Sequence, residues 1–233
     1  MRPQQLAERA DRTAPLVTLY DGADRVELSA ATFGNGVAKA AGLLRDGLGL
    51  APGASVSIDL PLHWQLPVWT VAALAVGART SRQAAWADAR VVGPDGLARI
   101  AAGGDPGADE VLACACDAFG MPLRGPLPAG VTDVGVEARM HPDVHAPEPR
   151  AHLSAALQVG GEWIEWTTLA ASRPASPSSG RVWVGAGVAP DRLLWAGVVH
   201  PLLTGARLVL AVSLGADATA RARAVEAITA DAR

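Results

Sequence analysis

The chain has 233 residues, half of them apolar, and a net charge of −3; that length buries a core without a disulfide or metal to hold it. Acidic and basic residues mix along it, so it offers no cationic footprint for nucleic acid. No apolar run reaches the roughly 18–20 residues that a membrane span needs.

The N-terminus, Met1-Arg2-Pro3-Gln4-Gln5, has no apolar signal core, and residues 3–12 read as a short polar helix. Leu16 to Tyr20 is a β-run, Asp21-Gly22 a turn and Arg25 to Leu28 a second strand, which together predict a hairpin. Ser29 stands as an N-cap, and Phe33, Val37, Ala40, Ala41, Leu44 and Leu48 recur at helical spacing. Pro52-Gly53 ends that connection and Ser55 to Asp59 is a strand. Pro67 sits in the first turn of a helix carrying Trp69, Ala73, Leu74 and Val76, which Gly77-Ala78-Arg79 stops.

The middle is looser: a strand over 90–92, a helix over 95–102, a strand over 110–115 and another over 131–136. Cys114 and Cys116 lie one residue apart, so in a strand their thiols diverge, and two small core or edge residues explain them better than a redox pair or half a metal site. Free thiols and the missing signal core place the chain in the cytoplasm. Residues 141–150 hold three prolines and predict an extended linker.

After the linker the opening pattern returns. Leu153 to Leu157, Gly160-Gly161 and Trp163 to Trp166 repeat the hairpin, and Thr167 starts a shorter helix that ends in the Pro/Ser loop 174–180. Arg181 to Val184 repeats the strand from Ser55, a helix over 191–203 repeats that over 66–76, and Gly205-Ala206-Arg207 repeats Gly77-Ala78-Arg79. Val56 to Val182 and Trp69 to Trp195 share an offset of 126, and Gly77 to Gly205 has 128, so one two-residue insertion reconciles an ordered series. A strand over 208–212 and a helix over 217–230 close the chain. The pattern predicts an α/β fold of two similar hairpin–helix–strand–helix–strand lobes, mainly parallel sheets with helices on their faces. The lobes are 1–140 and 152–233 around a linker at 141–151, or one compact domain.

Catalytic and cofactor motifs are missing. There is no G-x-x-x-x-G-K-[ST], and Lys39 and Pro190 stand at the third glycine positions that G-x-G-x-x-G would need after Gly34-Asn35-Gly36 and Gly185-Ala186-Gly187. No G-x-S-x-G, H-E-x-x-H or C-x-x-C occurs. His141 and His145 have i,i+4 spacing, but Pro142 and Pro147 argue against the helix that would bring them together. His200, between Val198-Val199 and Pro201, reads as a hydrogen-bonded residue of the core or of the interface between lobes. Trp69, Trp183 and Trp195 fall at periodic core positions, and of Trp163 and Trp166 at least one is exposed.

The ordered segments Val26-Glu27-Leu28-Ser29, Pro52 to Ile58, Leu60-Pro61-Leu62-His63-Trp64 and Ala72 to Ala78 resemble the start of the AMP-binding, acyl-CoA synthetase-like (adenylate-forming) superfamily. There T-Y-x-E-L is followed by G-V-x-x-G-D-x-V, L-P-N-x-x-E-W and A-x-L-x-x-G-A. Arg181-Val182-Trp183-Val184 and Pro201 to Leu210 are similar to its D-R-V-L and P-L-L-x-G-A-x-V-V-L, and Pro126 to Asp133 resembles a short actinobacterial branch. The resemblance implies a phosphate loop, [ST]-S-G-[ST]-T-G-x-P-K-G, in the second hairpin. Ala155 to Trp163 stands there instead: the hydroxyls and lysine are gone, Gly160-Gly161 survives, and Glu162 adds negative charge. The chain also ends at Arg233, before the superfamily's adenine- and ribose-binding segments and its catalytic lysine.

The expectation is therefore a pseudoenzyme with no catalytic residue, metal or cofactor, binding a small carboxylate or a protein partner. The alternatives are an enzyme of another reaction that uses His63 and His200, or a structural subunit of a synthetase assembly. A ligand would sit where strands run into loops, at His63, Trp64, Gly160, Gly161, Gly185 and Gly187, with His200 in the crevice between lobes.

Overall fold

A computed structural model describes residues 1–174 and 180–232. The predicted Pro/Ser loop lies mostly outside the described residues. The predicted N-terminal helix shortens to a 3-10 turn, Pro3–Ala7, with Leu6 fully buried. The first hairpin is β1 (Pro15–Asp21) and β2 (Asp24–Ser29). Ser29 caps the next helix as predicted, its hydroxyl accepting from the Thr32 N–H at 3.1 Å. That helix is α1 (Ala30–Gly42), continued by a π turn over Leu43–Gly47, and its stripe of Phe33, Val37, Ala40, Ala41 and Leu44 is buried.

Next come β3 (Ser55–Asp59), α2 (Gln65–Ala75), β4 (Arg79–Ser81), β5 (Ala87–Val92), α3 (Pro94–Ala101), β6 (Ala108–Ala113) and β7 (Val131–Asp133). The expected strand over 131–136 is cut short: the Asp133 carboxylate accepts from the Gly135 N–H at 2.8 Å and starts the helical turn α4 (Val134–Glu137). The second hairpin is β8 (Ala156–Val159) and β9 (Glu162–Glu165), followed by α5 (Trp166–Ala171) and β10 (Arg181–Val184). The helix expected over 191–203 is broken into a 3-10 turn (Pro190–Arg192), a π turn (Trp195–Val199) and α6 (His200–Leu203). Pro201 bears on the last break, because it has no N–H for the Gly197 carbonyl four residues back and its ring crowds that carbonyl. Finally β11 (Arg207–Val212) and α7 (Ala216–Val225) lead to an edge strand, β12 (Ala230–Asp231), where a continued helix was expected.

The strands form two mainly parallel sheets. One runs β12-β10-β11-β1-β2, the other β7-β6-β5-β3-β4-β8-β9. The boundary at 141–151 does not divide them, because each hairpin adds to the sheet made by the other half of the chain: β1 pairs with β11, and β8 with β4. Corresponding backbone bonds recur. Ser55 pairs with Arg79 as Arg181 pairs with Arg207. The Arg79 N–H donates to Ala54 at 2.8 Å, and that of Arg207 to Gly180 at 2.9 Å. Gly77 and Gly205, at φ +84° and +86°, end their helices in the left-handed conformation that favours glycine.

All residues of α2 are buried, as a helix apolar on every side requires, because it lies between the two sheets against α1 and the π turn before α6. Trp69 at its centre is 1% exposed, and truncating such a side chain to alanine costs about 3–5 kcal/mol. Outside the sheets, α3 covers Val92, Val111 and Ala113, while α7 covers Trp183 and Val209 through Ala222. Residues 141–146 are irregular as expected, but they strap α1 down: Lys39 pairs with Asp143 at 2.9 Å and donates to the His141 carbonyl.

Candidate functional site

In the seven-stranded sheet β3, β4, β5 and β8 are parallel, so their C-terminal ends share one edge. That edge opens a polar crevice: a hollow of about 470 Å3 at the strand ends, with Arg82 and Gly93, adjoins one of about 370 Å3 that runs on to Ala85 and Gly107, just ahead of β5 and β6, and the two share Asp59, Gln83 and Arg99. Asp59 ends β3 and accepts from Arg99 of α3 at 3.2 Å. Arg82, just past β4, donates to the Leu60 carbonyl at 2.9 Å. Arg90, on β5 and only 5% exposed, donates to the carbonyls of Ala84 and Gly107. The Nε–H groups of Arg82 and Arg90 are buried without an acceptor. Burial lowers the pKa of both, and the nearby Asp59 charge opposes it. Gln83 is held at φ +59°, a strained conformation for a side chain with a Cβ. Chemically, this crevice sets the guanidinium groups of Arg82, Arg90 and Arg99 among the carboxylates of Asp59, Asp95 and Asp105.

The residues singled out in the sequence are distributed around this edge and away from it. His63 follows β3 at the C-terminal edge of the sheet and is 4% exposed. Its Nδ1 accepts from the Gln65 N–H at 3.3 Å, and its ring lies 5.2 Å from that of Trp64. Burial pushes its pKa down to about 4, against a bond to the Asp117 backbone, so a neutral imidazole pins the 117–120 segment. Trp64 donates to the same Asp117 carbonyl at 3.3 Å and walls a surface groove of about 700 Å3 with Arg25, Leu28 and Phe119.

Gly160-Gly161 closes β8–β9 as a two-residue turn at φ +58° and +88°. The Gly160 N–H is already donated to the Asp191 carbonyl at 3.1 Å, which draws the segment after β10 to this turn. Gly185 and Gly187 lie in that segment; nothing stands within 4 Å of a Cβ added at Gly187, so its surroundings are open. His200 departs from expectation. It is exposed, its ring tilted at 53° and 5.2 Å from that of Trp195, and it shares a hollow with Pro174, Thr204 and Thr229 at the N-terminal ends of β10, β11 and β12. It therefore stands at the five-stranded sheet, whereas His63 follows a strand of the seven-stranded one.

Cys114 is fully buried and Cys116 half-buried, the latter pushed up to about 12 by burial and Asp117, so both remain thiols. His141 packs against Gly42 and Gly47 on α1 and its π turn, and no metal-ligand cluster occurs among the described residues. Sequence reasoning passed over Asp59, Arg82, Arg90 and Arg99. The available signal was an arginine inside the apolar run of β5 and an aspartate closing β3.

No protein-family model matches the chain. A TIGR03089 family protein of Mycobacterium tuberculosis is 40% identical over 144 residues, 60% of this chain and 59% of that protein. Among solved structures, an acyl-CoA synthetase of Brucella canis superposes with a TM-score of 0.77 at 16% identity, over 99% of this chain and 47% of that one. Acetoacetyl-CoA synthetase from Streptomyces lividans gives 0.70 at 19% identity, over 91% and 38%. The fold is that of the N-terminal part of acyl-CoA synthetases. The chain spans about three fifths of the relative it matches and less than half of these synthetases.

Proposed function

We propose that this chain is a non-adenylating version of the acyl-CoA synthetase fold, a pseudoenzyme that binds an anionic ligand or a partner at the C-terminal edge of its seven-stranded sheet. One observation carries the reading. In the hairpin where the resemblance implies a phosphate loop stands a two-residue turn, its first N–H donated to Asp191 and Glu162 beside it. A phosphate cradle needs several free N–H groups, hydroxyls and an uncompensated cation; here one tip N–H is taken, no hydroxyl is present, and the Arg192 guanidinium beside Gly160 comes with the Asp191 carboxylate in the same space. The hollow at Asp59, Arg82 and Arg99 supports a binding role, lying where open α/β sheets place their ligands. Nothing supports a His63–His200 acid–base pair, since such chemistry needs a paired arrangement and the two stand at different sheets, one buried and one exposed, with no hollow in common.

The reading includes an internal duplication, supported by the recurring Gly-Ala-Arg helix ends and by the matched pairings Ser55–Arg79 and Arg181–Arg207. The decisive experiment is calorimetry and thermal shift with ATP–Mg. We expect a dissociation constant no tighter than about 1 mM. A rise of several degrees in Tm at sub-millimolar ATP–Mg would overturn the reading.

A further inference from the structure

An edge strand presents a row of unpaired backbone donors and acceptors, and folds usually blunt it with charge, a bulge or a cover. The five-stranded sheet ends at β2, which pairs only with β1 among the described residues. Asp21 faces Asp24 across the two-residue turn, and such a closing pair exchanges both of its backbone bonds. Bonded and non-bonded pairs alternate from there, so Val26 and Leu28 bond to β1. The N–H and C=O groups of Arg25 and Glu27 therefore point away from the sheet.

The two faces of this edge differ. On one, half-buried Val26 and buried Leu28 wall the groove of about 700 Å3 with Gly36, Trp64 and Phe119. Phe119 is 81% exposed. With Val26 and Trp64 it makes an apolar wall beside an unpaired strand, the kind of surface that association covers. On the other face Arg25 and Glu27 stand two residues apart and pair at 2.5 Å. Arg25 also holds Glu226 through Nε and Nη2, which leaves its Nη1 without an acceptor among the described residues.

These charges decide what the edge can take. Where β2 pairs antiparallel with itself, a two-fold axis through Val26 sets Arg25 opposite Glu27 of the second copy, and the reverse. The same register brings the free backbone groups of Arg25 and Glu27 face to face, and leaves Val26 as a non-bonded pair on the axis. An axis through Arg25 or through Glu27 would set like charges directly opposite, which is destabilising. The charges that blunt this edge against other strands thus select its own copy in one register.

We propose that the chain forms a two-fold dimer through β2, joining two five-stranded sheets edge to edge. The axis is perpendicular to the sheet, so both grooves open on the same face and meet, covering Val26 and Phe119 of each copy. A contact of this extent gives a weak dimer, with a Kd of about 1–100 μM. The inference is independent of the proposed function, since the groove shares no residue with the strand-end crevice.

Sedimentation equilibrium of the full chain tests it, and should show monomer and dimer exchanging in that concentration range. Glu27→Lys sets a cation against Arg25 of the second copy and should weaken the dimer at least about tenfold. Its Tm should change little, because the ion pair it breaks within the chain is exposed. Cross-linking reads the register. A non-bonded antiparallel pair brings its Cα atoms to about 4.5 Å, within reach of a disulfide. Val26→Cys should therefore oxidise to a covalent dimer. Asp24→Cys, more exposed but opposite Leu28 of the second copy, should not. The native thiols compete little, Cys114 being buried and Cys116 pushed up to about 12. If Glu27→Lys fails to fold, the contrast between the two cysteine variants decides. A chain that stays monomeric to about 300 μM, leaving β2 to a strand of some other protein, would overturn the proposal. So would unchanged dimer affinity in folded Glu27→Lys, or cross-linking of Asp24→Cys as ready as that of Val26→Cys.

Discussion

The turn at Gly22-Ala23 and the turn at Gly160-Gly161 close hairpins that occupy the same place in their two sheets, yet the hairpins are fastened by different chemistry. Beneath β1–β2 lies Glu226, 1% exposed. It accepts from the Tyr20 hydroxyl at 2.7 Å, from Arg25 at 2.9 Å and from Arg181 at 2.6 Å, so one buried carboxylate ties the hairpin to α7 and β10. Over β8–β9 the fastening is at the surface. The Arg79 guanidinium stacks 4.4 Å from the Trp163 ring and lies 3.6 Å from the Glu165 carboxylate. The comparison teaches that the backbone scheme can recur while the side chains holding it are free to differ. Charges matter to stability only where the fold has taken them out of water.

The sharpest way to break the comparison is at Glu226. Glu226→Gln leaves Arg25 and Arg181 facing a neutral amide, and should cost about 3 kcal/mol in chemical denaturation. The pH dependence follows from the same contacts. Burial raises the Glu226 pKa, but the bonds from Tyr20 and Arg25 and the charges of Arg25 and Arg181 outweigh it and hold the carboxyl below its ordinary value. A depressed carboxylate contributes stability above its unfolded pKa and loses it as pH falls through the folded one. Acid should therefore loosen the first hairpin below the ordinary carboxylate range, and Glu226→Gln should flatten that part of the profile.

The loops after β3 and β10 extend the contrast. His63 is buried and neutral in the first, whereas residues 185–189 of the second hold no titratable side chain. A histidine pushed down to about 4 contributes stability above its ordinary pKa of 6.5, and that stability is lost as pH falls towards 4. A drop from 6.5 to about 4 corresponds to about 3 kcal/mol at full protonation, and less is seen wherever unfolding intervenes. Thermal melts between pH 7 and 5 should fall for the native chain and stay flatter for His63→Leu. An identical slope in both would mean that His63 reaches water and does not pin residues 117–120.

These contrasts also mark what the sequence could and could not disclose. Local signals carried the hairpins, the Ser29 cap, the buried stripe of α1 and the Gly-Ala-Arg helix ends, because each is set by residues within a turn or two of one another. The placement of β1 beside β11 and β8 beside β4 is non-local and leaves no mark in periodicity. The apolar neighbours of His200 predict an inward residue, but the π turn over Trp195–Val199 inserts one residue ahead of it. One extra residue rotates a helix face by about 100°, and the imidazole faces out. The strand-end arginines were hidden differently: Arg90 occupies an apolar run, and its partners are carbonyls that any residue could supply.

The smallest expected effect tests the surface half of the comparison. Arg79 and Glu165 are 37% and 51% exposed, so their ion pair is worth at most about 1 kcal/mol and weakens with salt. The stack on Trp163, itself 40% exposed, adds about 0.5–1 kcal/mol that salt screens little. Arg79→Lys keeps the charge but gives up the planar stack. Salt-dependent denaturation can therefore separate the two terms: Glu165→Gln should cost a few tenths of a kcal/mol that vanish at high salt, while Arg79→Lys should keep its deficit. Trp163 reports directly, since losing the guanidinium from its face should change its fluorescence whether or not stability moves. A loss above about 2 kcal/mol for either variant would mean that β9 is bolted as firmly as β1–β2, and the contrast between a buried and a surface fastening would fail at its weaker end.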